Sequence, residues 1–209
     1  MLPTPEYKLA ADEKESVYEP AEDTFLLMDA LELHTEFLRS LHSPIIVEIG
    51  CGSGVVSAFA RKVCGSDDAL SFATDLNPKA LQCTMRTAQL NGCQIELLQG
   101  GLVTPLSSRL HGSIDVLLFN PPYVPTEEEA SKVEELCYAG GQTGRSALDR
   151  LLHDVPKLLS RDGRFYVVAL KSNDIAYLTS RFTDILKCEI VLERRCGIEY
   201  LYVLMYSRK

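Results

Sequence analysis

The segment Asn120–Tyr123 has the residue types and spacing to position a planar nitrogen. Proline fixes φ and lacks a backbone N–H, so Pro121 and Pro122 make this segment rigid and rich in acceptors. The Asn120 amide oxygen and the Pro121 carbonyl can then grip the two hydrogens of an NH₂ group. The nitrogen lone pair would face an electrophile, while Tyr123 supplies a flat apolar surface.

An amide nitrogen is a poor nucleophile, so orientation and desolvation would supply most of the acceleration. The two acceptors would also stabilise the positive charge that grows on nitrogen as a methyl group moves. We expect neither a metal nor a covalent enzyme intermediate. The alternative is a strand-ending turn in which Asn120 bonds its own backbone, but its position after an apolar run favours the chemical role.

A second segment, Glu48–Gly54, carries glycines at every other position: Gly50, Gly52 and Gly54. It follows a β-branched run and precedes a helix-like stretch, where open α/β sheets bind ligands. Glycines there let the backbone approach a ligand closely. Val55 stands where a dinucleotide fingerprint needs a small residue, and no Lys-Ser/Thr follows, so a phosphate-binding P-loop is excluded.

Asp75 follows the second predicted strand and is placed to accept hydrogen bonds from both hydroxyls of a ribose. Glu48 could hold either a ligand amino group or a nearby backbone donor. Together with the glycine turn, Asp75 predicts an adenosine-containing ligand, and S-adenosyl-L-methionine fits better than NAD. A tight turn beside a solvated aspartate is the alternative.

Composition narrows the function classes. The net charge of −8 disfavours nucleic acid as the main partner. No apolar run approaches the roughly 18 residues of a membrane helix, and no secretory signal is visible. The seven cysteines and four histidines lack metal-ligand spacing, so we expect reduced thiols and no metal site. A cytoplasmic location follows, with a nuclear pool as an alternative.

Apolar strand-like runs alternate with helix-like stretches after about residue 45. This order predicts one α/β domain over residues 1–209, a doubly wound, mostly parallel seven-stranded sheet with a C-terminal antiparallel hairpin. We expect residues 1–16 to form a loose arm. The predicted strands are 45–49, 70–74, 94–98, 114–119, 165–170, 189–194 and 199–206. The predicted helices are 22–38, 54–63, 78–90, 146–159 and 173–186.

The two motifs together resemble class I S-adenosylmethionine-dependent methyltransferases with a Rossmann-like fold that act on planar nitrogens. More narrowly, the chain resembles the HemK-type family, which methylates a glutamine side-chain amide in translation release factors. Tyr18–Thr24 and Ala139–Arg145 resemble segments of its short eukaryotic and archaeal branch. That branch lacks the helical N-terminal domain of the bacterial enzymes.

The resemblance implies a substrate, a partner and residue roles. The substrate is a Gly-Gly-Gln glutamine of the class I release factor, methylated at N5. The partner is a small zinc-binding activator protein in a heterodimer. Thr24 would lie beside the cofactor, Glu48 and Gly50 would bind its methionine part, and Asp75 its ribose. Residues 120–123 would hold the acceptor nitrogen.

One position departs from the family, which usually carries an acidic residue after the third strand that contacts the adenine amino group. This chain has Gly101 there. Losing one hydrogen bond costs on the order of 1 kcal/mol in affinity. We hypothesise that the Leu102 backbone N–H or the Gln99 side chain compensates.

The third strand, with Ile95–Leu98, should lie at a sheet edge, where an exposed apolar strand needs cover. We predict that the activator adds a strand there.

Glutamates at 127–129 and 134–135 form an acidic stretch. It is either a solvated helix face or a surface that attracts a basic region of the substrate. Gly140-Gly141-Gln142 copies the substrate motif by chance; self-methylation there is the alternative.

Two other functions stay open at this point. The same chemistry could serve another nitrogen acceptor, a histone lysine or a nucleobase amino group of adenine or guanine. Lysine, however, needs no pair of acceptors aimed at a planar NH₂, and the net charge works against nucleic acid. A non-catalytic cofactor-binding scaffold is the third candidate. The intact Asn120 motif speaks against it, whereas Gly101 is compatible with it.

Overall fold

The computed structural model describes residues 2–106, 108–126 and 140–209, which contain one seven-stranded sheet. The strands are β1 Ile45–Ile49, β2 Leu70–Asp75, β3 Glu96–Gln99, β4 Ile114–Phe119, β5 Leu159–Leu170, β6 Leu186–Cys196 and β7 Glu199–Arg208. Their order across the sheet is β3-β2-β1-β4-β5-β7-β6. The first five strands are parallel, and β7 is antiparallel to both neighbours. The predicted fold class is therefore confirmed.

Helices cover both faces of the sheet. They are α1 Glu22–Leu33, α2 Thr35–Ser40, α3 Val55–Cys64, α4 Pro78–Leu90, α5 Ser146–Leu152, α6 Val155–Leu158 and α7 Ile175–Ser180. Along β4, Val116 and Leu118 enter the core beneath α1 and α3, while Leu117 and Phe119 enter the core beneath α5 and α6. Because both faces are buried, this strand is a continuous apolar run.

The topological switch lies at β1, which pairs with β2 on one side and β4 on the other. Ile49 is in register with both Thr74 and Phe119. The next residue along each strand, Gly50, Asp75 and Asn120, therefore emerges at one edge of the sheet. The two motifs singled out in the sequence meet there, where open α/β sheets form a ligand crevice.

The predicted helix 22–38 is wrong in one respect: it is two helices, separated at His34. The His34 ring nitrogen Nδ1 lies 2.8 Å from the Tyr166 hydroxyl, and Thr35 donates its hydroxyl to the Glu32 carbonyl at 2.5 Å. These contacts redirect the chain, yet the apolar stripe stays continuous. The predicted stripe residues Leu27, Met28, Leu31 and Leu38 are all buried.

The predicted helix 146–159 also divides, into α5 and α6 at residues 153–154. Strand β5 begins at Leu159, six residues before the predicted start at residue 165. Ile114 pairs with Leu159, whereas Val116 pairs with Arg164, so the extra residues of β5 form an irregularity between two paired positions.

The other boundaries shift by smaller amounts. Helix α7 is shorter than the predicted 173–186, because the backbone at Arg181 is extended and its guanidinium binds Asp149 at 2.8 Å. Both hairpin strands are longer than predicted, and β3 begins two residues later. Among the described residues, no helix has the length and apolarity to cross a membrane.

The N-terminal arm is held against α4, contrary to the expectation of a loose segment. Glu13 is 2% exposed and forms a bidentate ion pair with Arg86, with both contacts at 2.9 Å. Val17 is buried in a small apolar cluster with Ala80 and Cys83. The polar composition of residues 1–16 concealed these contacts, because their partners lie some 70 residues further along the chain.

Candidate active site

The glycine turn after β1 brings backbone donors to the crevice. The Gly52 N–H donates to Asp75 Oδ2 at 3.0 Å, which ties this turn to the end of β2. Gly54 has φ +76°, and a Cβ there would lie 2.7 Å from the Thr84 Cα. Only glycine fits such a conformation and contact. Gly54 therefore lets α3 and α4 pack closely at the base of the turn.

Asp75 is positioned by backbone N–H groups on two sides. Besides Gly52, the Asn77 N–H donates to Asp75 Oδ1 at 2.9 Å. Burial raises the pKa of Asp75 above its usual value, and the backbone hydrogen bonds oppose that shift. Each carboxylate oxygen keeps a further lone pair for a ligand hydroxyl. Asp75 thus borders the crevice with free acceptor capacity, and its ribose-binding role stays a prediction.

Glu48 is 3% exposed and lies on β1 beneath the crevice. Its Oε2 accepts a hydrogen bond from the Ser57 N–H at 2.9 Å and another from the Ser57 hydroxyl. Burial raises the pKa of Glu48 to about 8, and Asp75 contributes by repulsion. Of the two sequence-based roles, the backbone donor is present in the structure. Glu48 also borders the cavity, where it can meet a cationic ligand group.

Residues 120–123 leave β4 and pass in front of α1, where Asp23 receives two of their side chains. The Asn120 Nδ2 donates to Asp23 Oδ2 at 2.9 Å, and the Tyr123 hydroxyl donates to the same oxygen at 2.8 Å. The Tyr18 hydroxyl donates to Asp23 Oδ1 at 3.0 Å, and the Thr24 N–H to the same oxygen at 2.7 Å. Asp23 is 3% exposed and is the centre of this network.

The amide of Asn120 consequently has a fixed orientation. A carboxylate only accepts hydrogen bonds, so the NH₂ end must face Asp23 and the oxygen must face the opposite way. The Oδ1 atom is buried and has no hydrogen-bond partner within the described part of the chain. An unpaired buried acceptor costs about 1–3 kcal/mol and marks a place where a donor is missing.

The Tyr123 phenol is kept protonated by its surroundings. Burial raises its pKa, and the neighbouring Asp23 carboxylate raises it further. The hydroxyl therefore acts as a hydrogen-bond donor to Asp23, and the ring forms part of the cavity wall.

A cavity of about 460 Å³ joins these features. Its lining includes most of the predicted site residues: Thr24, Glu48, Gly50, Gly52, Asp75, Leu102, Asn120, Pro121, Pro122 and Tyr123. Gly54 is not among them, and its place is between α3 and α4. Residues 16–18 of the N-terminal arm form a wall that the sequence analysis missed, held by a 2.6 Å hydrogen bond from Asn77 Nδ2 to the Ser16 carbonyl.

The end of β3 bears on the missing acidic residue. The Gln99 side chain donates to the Leu76 carbonyl at 3.3 Å and does not border the cavity, whereas Leu102 does; compensation by the Leu102 N–H stays a hypothesis. A Cβ at Gly101 would meet only Leu76, at 3.6 Å or more. The position therefore has space for a larger side chain.

Asp23 is a side chain of the candidate site that sequence reasoning did not assign. Asp23 belongs to the segment 18–24 that carries the family resemblance, but an acidic residue in a first helical turn is ordinarily explained by the helix dipole.

The acidic stretch at 127–129 and 134–135 lies outside the described residues. Gln142 is exposed, on a loop whose Gly140 N–H donates to the Val124 carbonyl at 3.0 Å.

A sheet with this strand order and a nucleoside-sized crevice at β1 and β4 defines a class I methyltransferase fold. The chain belongs to the methyltransferase small domain family, whose model matches residues 23–193.

Its relatives are more specific. It is 43% identical over 99% of its length to "Methyltransferase HEMK2" of Mus musculus, covering 97% of that protein. It is 34% identical to the "eRF1 methyltransferase catalytic subunit mtq2" of Schizosaccharomyces pombe, over all of this chain and 96% of that one.

A solved structure matches as well. The "E. cuniculi Mtq2-Trm112 complex", described as responsible for methylation of the eRF1 translation termination factor, contains a chain with a TM-score of 0.70 and 27% identity. The match covers 93% of this chain and 99% of that one. The resemblance to HemK-type methyltransferases is thus confirmed.

Proposed function

We propose that this protein is an S-adenosylmethionine-dependent methyltransferase that modifies the side-chain amide nitrogen N5 of a glutamine in the Gly-Gly-Gln loop of the class I release factor. The observation that carries the proposal is the buried, unpaired Asn120 Oδ1, whose orientation Asp23 fixes. It offers a hydrogen-bond acceptor where a planar NH₂ group needs one. The HEMK2 relative is named a methyltransferase and the mtq2 relative an eRF1 methyltransferase, which supports methyl transfer to a release factor.

The residues around the cavity fit the cofactor. Asp75 offers acceptors for ribose hydroxyls, the turn at 50–54 leaves room for close backbone contact, and Glu48 presents a carboxyl group to a cationic amino acid moiety. When bound, the cofactor supplies a methyl group on a positively charged sulfur, which makes that methyl electrophilic. Thr24, from α1, closes the same cavity.

Asn120 and Pro121 would do the work on the substrate side. Their oxygens accept hydrogen bonds from the two amide hydrogens and turn the nitrogen lone pair toward the methyl carbon. As the carbon–nitrogen bond forms and the methyl–sulfur bond breaks to leave a neutral thioether, the positive charge on nitrogen would strengthen these hydrogen bonds, so they would stabilise the transition state more than the ground state. Loss of one N–H proton to solvent then returns the amide to neutrality.

Other acceptors match this geometry less well. A lysine ammonium must first lose a proton, whereas the Asp23 carboxylate is already engaged by hydrogen bonds from Asn120 and two tyrosines. A nucleobase amino group is planar, but a net charge of −8 does not attract its phosphate backbone. A scaffold without catalysis would have no use for the orphaned acceptor at Asn120.

We propose further that a small zinc-binding activator protein covers the β3 edge, near Ile95–Leu98. Strand β3 is the terminal strand of the sheet, and α4 packs beside it. Leu76, Met85 and Leu90 are large apolar side chains on or next to α4, and each is more than 40% exposed. A stripe of this kind beside an unpaired strand favours a partner that adds a strand and buries the apolar surface.

The proposed reaction is tested with purified release factor, the activator and methyl-labelled cofactor, followed by mass mapping of the labelled residue. We expect label on the Gly-Gly-Gln glutamine, and none when that glutamine is replaced by alanine. Asn120→Ala should abolish transfer and leave most cofactor binding intact. Label on histone, nucleic acid or Gln142, with none on the release factor, would contradict the assignment.

The activator interface has its own test, co-expression of the two proteins with a charge placed on α4. Met85→Glu should weaken the complex and lower both solubility and cofactor affinity. Ile185→Glu is the matched control, because Ile185 is equally exposed but precedes β6 at the other end of the sheet. Equal effects of the two substitutions, or no effect of co-expression, would reject the β3 edge.

A further inference from the structure

Asn173 is a buried polar side chain, 1% exposed, near residues 120–123, which we call the acceptor segment. The proposed reaction does not use the Asn173 side chain directly. Asn173 lies in a short 3₁₀ turn, Lys171–Asn173, directly after β5. Its Oδ1 accepts the Leu170 N–H at 2.7 Å. Its Nδ2 points away from β5, toward the backbone that follows Asn120.

Three carbonyl oxygens surround that Nδ2. The Tyr123 carbonyl is 2.9 Å away, the Thr143 carbonyl 3.3 Å and the Gly144 carbonyl 3.4 Å. One side chain therefore joins the last residue of the Asn-Pro-Pro-Tyr segment to the loop before α5 and to the end of β5.

The backbone around this point is crowded, which makes the junction stiff. Gly144 has φ +66°, and a Cβ there would overlap the Tyr123 carbonyl and the Asn173 amide. The Gly140 N–H donates to the Val124 carbonyl, and the Thr126 N–H to the Gly141 carbonyl, both at 3.0 Å. The loop at 140–144 is thus hydrogen-bonded to residues 124–126, which directly follow the acceptor segment.

The acceptor segment is consequently held at two points of different kind. Asp23 holds the side chains of Asn120 and Tyr123 from α1, and Asn173 holds the Tyr123 backbone from β5. The first contact sets the orientation of the Asn120 amide. The second sets where the segment stands relative to the sheet, and thus how far its oxygens are from the cofactor cavity.

We propose that Asn173 is a positioning residue for methyl transfer, acting through the Tyr123 carbonyl. The inference rests on the proposed function, because it concerns the placement of the acceptor nitrogen. Asparagine suits this place since it combines an acceptor for the Leu170 N–H with two N–H donors that the three carbonyls share. A misplacement of about 1 Å at a reacting centre can lower a rate by about 100-fold.

Asn173→Asp is the sharpest variant, because aspartate is nearly isosteric. It still accepts from Leu170 but loses the donor and sets a carboxylate against carbonyl oxygens. Asn173→Ala removes both the acceptor for the Leu170 N–H and the donor to the carbonyls. Ser160→Ala is the matched control, since it deletes the 2.6 Å bond from the Ser160 hydroxyl to Asp115, near the opposite end of β4. For each protein, in complex with the activator, kcat and KM for release factor, the cofactor Kd and Tm are measured.

We expect both Asn173 variants to lower kcat by about 10- to 100-fold, with the cofactor Kd within about twofold of the wild type. The control should keep the wild-type kcat. Unchanged kcat, a parallel loss of cofactor affinity, or a failure of both variants to fold would overturn the proposal, since each outcome denies a role confined to the acceptor segment. Absence of transfer by the wild type would instead count against the proposed function.

Discussion

The Asn120 Nδ2 donates a 2.9 Å hydrogen bond to Asp23 Oδ2, between residues 97 positions apart in the chain. This contact decides which end of the Asn120 amide faces the substrate. Because the carboxylate accepts but does not donate, the amide oxygen is turned away from Asp23. The contact therefore fixes the orientation of the Asn120 amide, and α1 borders the candidate active site through Asp23.

Asp23→Asn should lower kcat for glutamine methylation by about 10- to 100-fold. An asparagine at position 23 can donate as well as accept, so the Asn120 amide is no longer held in one orientation. The measurement is the single-turnover transfer rate with labelled cofactor. Asp29→Asn is the control, because Asp29 lies on the same helix and pairs with Arg194 on the surface at 2.5 Å. Equal rates for the two variants would contradict the orienting role.

Glu48→Gln should change stability in a pH-dependent way. The folded-state pKa of Glu48 is about 8, above the ordinary value of 4.5, so the folded chain holds more protons than the unfolded one between these values. The free energy of unfolding of the wild type should therefore fall as the pH rises through that window. Glutamine does not ionise, so the free energy of unfolding of the variant should rise relative to that of the wild type between about pH 5 and about pH 8.

Urea unfolding across this pH range measures the difference between the two proteins. Glu13→Gln is a control, because the Arg86 guanidinium holds the pKa of Glu13 below its usual value, so Glu13 titrates below this window and its difference from the wild type should stay constant within it. Its carboxylate contributes stability above the ordinary pKa and loses it as the pH falls. A constant difference between Glu48→Gln and the wild type would show that Glu48 does not titrate in this window.

The grouping of several candidate site residues could be predicted from the sequence because strand ends of a parallel sheet meet at one edge. Gly50, Asp75 and Asn120 each follow a recognisable strand, so their neighbourhood follows from local patterns. Asp23 and Asn173 could not be found this way. Their contacts to residues 120 and 123 span 97 and 50 positions, and neither residue belongs to a periodic or turn pattern that points to its partner.

The fold shows the same division between local and distant causes. Strand β4 was predicted with its true bounds, because an uninterrupted apolar run has one interpretation in a buried sheet. The helix breaks at His34 and at residues 153–154 leave the apolar stripes intact, so periodicity passes over them. The arm at 1–16 is polar and was expected to be loose, yet Glu13 and Arg86 hold it.

Arg86→Gln should loosen the arm and weaken cofactor binding by about 3- to 10-fold. The substitution leaves the buried Glu13 carboxylate without its ion pair, and the arm supplies the cavity wall at residues 16–18. Calorimetry measures the cofactor Kd, and hydrogen exchange measures protection of the amides at 8–18. Asp12→Asn is the control, since the Asp12–Lys79 pair is exposed and such pairs contribute little. Unaltered Kd with lost protection would separate the arm from cofactor binding.

Gly101→Asp restores the acidic residue that the HemK-type family usually carries after the third strand. It tests how this chain would bind the adenine end of its cofactor without that residue. The position has room for the new side chain, since a Cβ there meets only Leu76. If the Leu102 N–H already supplies the compensating contact, the added carboxylate should improve the cofactor Kd by no more than about fivefold, on the order of 1 kcal/mol. Titration calorimetry gives the Kd, and Gly101→Ala shows any effect of the backbone alone. A gain of well over tenfold for aspartate, with none for alanine, would mean that the adenine amino group has no partner in the natural protein.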